Sequence, residues 1–98
     1  MHTRPGDASA HFALGRVYRM QRLAEKAIRC FRQVLTLDPK HTEAARALAD
    51  ALAEVGRFDE AVAAARNALL LARETGSSDL TAQIEERLKL YEKQQPPP

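Results

Sequence analysis

The strongest constraint on this chain is that it repeats itself with a period of 34 residues. Shifted by 34, residues 8–41 fall over residues 42–75 with seven identities: Ala10/Ala44, Ala13/Ala47, Leu14/Leu48, Ala27/Ala61, Arg32/Arg66, Leu35/Leu69 and Leu37/Leu71. Six of the seven are apolar, and apolar character also matches at Val17/Ala51, Ile28/Val62 and Val34/Ala68. A recurring unit of this length is one supersecondary element that buries its apolar face against its neighbours. Inside each unit the spacing is helical. Ala27, Ile28, Phe31, Val34 and Leu35 recur at threes and fours, as do Ala61, Val62, Ala65, Ala68 and Leu69, whereas a strand would alternate.

The punctuation divides each unit into two helices. Pro5, Gly6 and Asp7 precede the first, Asp38-Pro39 ends the second, and Thr42 is placed to cap the third. Gly56 lies between the third and fourth, where a left-handed residue suits a tight hairpin. Gly76, Ser77, Ser78 and Asp79 then introduce a fifth helix over residues 78–93, with Leu80, Ile84, Leu88 and Tyr91 on one face and Glu85, Glu86, Lys89 and Lys93 elsewhere. That pattern suits a cap whose inner face covers the last hairpin. The expected plan is a short lead over 1–7, repeats over 8–41 and 42–75, a capping helix over 78–93 and a proline-rich tail or linker over 94–98.

Composition limits the core. The 98 residues make one domain, and with no Trp, three Phe and two Tyr the abundant alanines must carry a thin core, since burial contributes about 25 cal/mol per Å². The single cysteine, Cys30, cannot form an internal disulfide, so a reducing cytoplasm is the expected setting. No run approaches the ~20 apolar residues of a membrane span, so no membrane association is expected. Net charge is +2, divided as +5 over residues 1–41 and −3 over 42–98. This asymmetry could steer an acidic ligand or order copies head to tail, though solvated helix faces explain it as simply.

Leu14-Gly15, Tyr18, Ala27, Phe31 and Pro39 fall on the pattern W-x2-L-G-x2-Y…A-x3-F…P, with His11 in place of the tryptophan. On these residues the chain resembles the tetratricopeptide repeat family. Gly15 and Ala27 would let two helices approach closely, with Leu14, Tyr18 and Phe31 filling the space beside them. The second unit keeps Leu48, Ala49, Ala61 and Ala68 but carries Leu52, Ala65 and Arg73 where tyrosine, phenylalanine and proline are expected. Its Gly56-Arg57-Phe58-Asp59-Glu60-Ala61-Val62 still looks like the family's hairpin turn. The fifth helix fits with two residues inserted, which sets Ile84 and Leu88 at the places of Leu14 and Tyr18. The resemblance implies an all-α fold, an α-α superhelix of antiparallel hairpins with a C-terminal capping helix.

The resemblance also implies a function, the binding of an extended or helical segment in a concave groove lined by the first helix of each hairpin. That maps to Ser9, Phe12, Ala13, Arg16, Arg19 and Met20, and to Glu43, Arg46, Ala47, Asp50, Ala53 and Glu54. Phe12, Arg16, Arg19 and Arg46 form the most ligand-like cluster, because arginine forks hold carboxylates and an aromatic anchors an apolar side chain. An acidic protein or peptide partner is therefore expected. The lysine and asparagine clamp by which some family members hold chaperone tails has no counterpart here, where Arg16 and Asp50 occupy such positions.

Other functions have weaker support. His2, His11 and His41 share no helical face with one another or with Cys30, so no catalytic centre, metal site or cofactor is expected. Arg16, Arg19, Arg22, Lys26, Arg29 and Arg32 crowd the first hairpin but spread around both helices, with few aromatics for base stacking, which argues against nucleic acid. The competing reading is a homo-oligomer or a structural unit of a larger array, because two hairpins are fewer than the three repeats that usually stand alone.

Overall fold

A computed structural model of the chain describes residues 7–98. It contains five helices: α1 (Ala8–Met20), α2 (Ala24–Leu37), α3 (Thr42–Glu54), α4 (Phe58–Thr75) and α5 (Ser78–Glu92). No strand occurs among the described residues. Of the proposed lead, Pro5 and Gly6 lie outside them, and Asp7 is the N-cap of α1, its Oδ1 accepting from the Ser9 amide at 2.9 Å. Each helix packs on the next, α1 on α2, α2 on α3, α3 on α4 and α4 on α5.

Three helices, α1, α3 and α5, end in the same way. The residue after the cap is left-handed in each, Arg22 at φ 62°, Gly56 at 79° and Gln94 at 59°. The next amide reaches back five residues, Leu23 to Tyr18 O at 2.8 Å, Arg57 to Leu52 O at 2.9 Å and Gln95 to Leu90 O at 2.9 Å. This wraps the last turn and satisfies carbonyls that would otherwise have no partner. Glycine takes the left-handed conformation without strain, so Gly56 serves where expected. Arg22, 34 residues earlier, does the same work against a side-chain penalty.

One boundary differs from expectation. The N-cap of α3 is His41 rather than Thr42: His41 Nδ1 accepts from the Ala44 amide at 3.1 Å, and Thr42 is the first helical residue. An unprotonated imidazole nitrogen serves the free amide as a hydroxyl would. Ser77 Oγ caps α5 by accepting from the Leu80 amide. The caps Asp7, His41 and Ser77 agree with the two-residue insertion before α5, but α5 then runs two residues further than α1 or α3 before its left-handed stop.

The core sits around α3. Every residue from Ala44 to Ala53 is buried except Arg46, and six of them are alanines. Small side chains on all sides are what allow neighbouring helices to close on α3. Gly15 is the only buried residue of α1, and an added Cβ there would lie 2.6 Å from Phe31 Cε1 and 3.1 Å from Cys30 Cβ. At Gly15 the backbone of α1 therefore runs close to Phe31 and Cys30 of α2, and Phe31 and Ala27 are fully buried. Leu14 departs from expectation. It is 43 % exposed because no described helix packs over its face of α1. In the second hairpin, Ala65 stands where Phe31 stands in the first, and Tyr91 of α5 belongs to the same cluster as Ala61 and Ala65.

Candidate functional site

The first helices of the two hairpins, α1 and α3, wall a groove. Spacings of three and four along α1 put Phe12, Arg16, Arg19 and Met20 on one face, and α3 supplies Glu43, Arg46, Ala47 and Glu54. With Phe31 these line a pocket of about 500 Å³. Five of the six partner-contact residues chosen from sequence, Phe12, Arg16, Arg19, Glu43 and Arg46, meet there. Ser9 and Ala13 are exposed outside it, and Ala53 is buried.

Phe12 is half-buried at the centre of a stack. Its ring centroid lies 5.9 Å from Phe31 and 4.8 Å from His41, tilted in both cases, and the Arg16 guanidinium carbon is 5.8 Å above its face. The ring quadrupole favours a cation there. Arg16 forms no ion pair among the described residues. Arg19 is held by Glu54 through two hydrogen bonds, Nε to Oε1 at 3.1 Å and Nη2 to Oε2 at 3.0 Å. Burial works against the Arg19 charge, but Glu54 and Asp50 more than offset it, so its pKa rises. Arg46 Nη2 donates to Glu43 Oε2 at 2.7 Å, while Arg46 Nε is buried without a partner.

Asp50 does not belong to the open groove. The resemblance placed it on the groove face, but it is 1 % exposed and lies outside the pocket lining. Its carboxylate accepts from Tyr91 Oη and Arg87 Nη1, both on α5, and sits 3.7 Å from Arg19 Nη2 and 3.9 Å from Arg46 Nη1. Covered by α5, Asp50 ties three helices together beneath the groove and orients the two arginines above it. Burial, followed by the bond to Asp50 and its charge, pushes the Tyr91 phenol well above its ordinary pKa. Arg87 was not read from the sequence, and Tyr91 was read only as apolar packing. Their separation of four, facing a lone acid on an alanine-rich helix, was the available signal.

The tail borders the same region. Pro96, Pro97 and Pro98 share a second cleft with Arg19, Met20 and Glu54. Among the described residues no three His, Cys, Asp or Glu side chains stand close enough to hold a metal ion. Burial raises the pKa of the Cys30 thiol, so less of it is thiolate near neutral pH. No described helix is long and apolar enough to cross a membrane.

Consecutive helical hairpins at a 34-residue period, walling a groove with their first helices, define a helical-repeat protein. Tetratricopeptide repeat family models match residues 8–41 and 44–78, and the chain belongs to that family. Among curated proteins, none matches it. Repeats of this family are in general protein–protein interaction modules and are typically non-catalytic.

Proposed function

We propose that the chain binds an acidic segment of a partner protein in the groove between α1 and α3. Hairpins 8–41 and 42–75 and the closing helix 78–93 act in this reading as one binding unit. A partner carboxylate lies between Arg16 and Arg46, and an apolar neighbour packs on Phe12 and Met20. One observation carries the reading: the pocket holds a guanidinium without an acidic partner at Arg16 and a buried unpartnered donor at Arg46 Nε, beside an accessible ring. Arg19 is already engaged by Glu54 and acts as a wall.

The test is a screen of fluorescent acidic and neutral peptides by anisotropy, repeated with Arg16→Ala/Arg46→Ala. Arg16 forms no ion pair among the described residues, but Arg46 pairs with Glu43 and lies 3.9 Å from the buried Asp50, so the variant keeps its helical circular dichroism at a somewhat lower melting midpoint. Loss of a charge-assisted contact at each site weakens acidic peptides at least about tenfold. Equal affinity for wild type and variant defeats the proposal.

A further inference from the structure

The face of α1 opposite the groove forms a second surface. Leu14 and Val17 are 43 % and 47 % exposed there, with Tyr18 beside them. Across the hairpin, α2 contributes Lys26 and Arg29, and these two line a cleft of about 430 Å³ with Leu14, Tyr18 and the partly buried Cys30. No carboxylate lines it. Lys26 Nζ stands 5.7 Å from the centre of the Tyr18 ring, and neither Lys26 nor Arg29 forms an ion pair among the described residues.

Arg16 and Arg22 share that lack of an ion pair among the described residues, whereas four other arginines, exposed or at a hairpin turn, are matched. Arg32 is paired with Glu60, Arg57 with Glu25 and Glu60, Arg66 with Glu92 and Arg73 with Glu85. An apolar strip flanked by unmatched cations has the makeup of an interaction surface with a polar rim. Its shape is a furrow between two antiparallel helices, the form into which the side-chain ridge of a third helix packs.

The geometry points to this edge as the docking surface for an acidic amphipathic helix of a partner protein. The partner's leucine-like face covers Leu14 and Val17, and its carboxylates meet Lys26 and Arg29. Charge argues against a second copy. The same edge of another molecule would set Lys26 and Arg29 against their own counterparts, and α5, at the other end of the array, exposes no large apolar side chain to cover Leu14 and Val17. The surface and the groove lie on opposite faces of α1, so two partners can be held at once. This inference does not rest on the groove reading.

The experiment titrates the full chain, labelled with ¹⁵N, with a designed helix of about 20 residues carrying leucines at i, i+3, i+4 and i+7 and glutamates elsewhere. A second peptide carries lysines in place of the glutamates. Support consists of saturable binding of the glutamate peptide, with shifts centred on Leu14, Val17 and Tyr18 and much weaker binding of the lysine peptide. Lys26→Glu/Arg29→Glu then lowers affinity at least about tenfold, and Arg16→Ala/Arg46→Ala changes it less than about twofold. Should the charge-reversed variant fail to fold, Lys26→Ala/Arg29→Ala and the fall of wild-type affinity with added salt give the same readout. Absence of binding, equal binding of the two peptides, shifts confined to the groove, or a concentration-dependent dimer that occludes Leu14 each overturns the proposal.

Discussion

Replacing Asp50 with alanine removes one carboxylate that four side chains share, and its cost can be worked from their surroundings. The Tyr91 hydroxyl, on a residue 1 % exposed, is left without its acceptor, a loss of about 1–3 kcal/mol. Arg19, Arg46 and Arg87 keep side-chain exposures of 30 %, 27 % and 28 %, so their guanidinium groups turn to water and recover part of what they lose. Breaking a fully buried ion pair costs about 3–5 kcal/mol. This partly solvated arrangement therefore comes to about 2–4 kcal/mol, from a total stability of about 5–15 kcal/mol for a domain of this size. Urea unfolding at neutral pH, followed by circular dichroism, measures it. The double-mutant cycle with Tyr91→Phe isolates a coupling of about 1.5–3 kcal/mol, the range for hydrogen bonds to a charged group. If Asp50→Ala lies within about 0.5 kcal/mol of wild type, the carboxylate is a water-facing groove residue and the account of α5 as the helix that locks onto it is wrong.

Three further outcomes follow from the same packing. Gly15→Ala loses about 1–2 kcal/mol net, because the ~1 kcal/mol gain in helix propensity is outweighed when its Cβ meets the Phe31 ring; a more stable variant would show that α1 and α2 are not in close contact. Tyr91 has a folded-state pKa raised above its ordinary value of 10.0, so its contribution to stability is complete below about pH 10 and is lost as pH rises beyond it. The denaturation midpoint accordingly falls more steeply in alkali for wild type than for Tyr91→Phe, and parallel curves would contradict the buried hydrogen bond. His41→Ala removes the α3 cap at about 1 kcal/mol, read as a lower melting midpoint that His41→Asp restores, whereas no change would mean that the Ala44 amide is satisfied otherwise.

The helices were legible because period and punctuation agreed. Positions such as Ala27, Phe31, Ala61 and Leu69 sit on a shared stripe, and Gly15 is conspicuous inside a helix. The groove face followed from the resemblance, and five side chains chosen on that basis meet in one pocket. What escaped were facts that depend on a neighbour distant in sequence. Asp50 on its own reads as a solvent-facing acid, and only the packing of α5 reveals that Arg87 and Tyr91 close over it. Leu14 matches a buried motif position, but its burial depends on what packs against α1, which the motif does not contain. His41 was passed over as a cap because Thr42 has the stronger propensity, whereas the Nδ1 atom had the geometry.

The shared helix stop at Arg22, Gly56 and Gln94 has a consequence for enlarging the molecule. A unit running from Leu23 through Gly56 begins just after one left-handed residue and finishes on another, with its own caps inside it. Copied in tandem, it joins itself at the backbone conformation that already links α1 to α2 and α3 to α4, so each junction inherits a working end. Lengthening the array thereby becomes a matter of splicing at a pre-existing seam, and the groove would grow by one wall per insert without new turn chemistry.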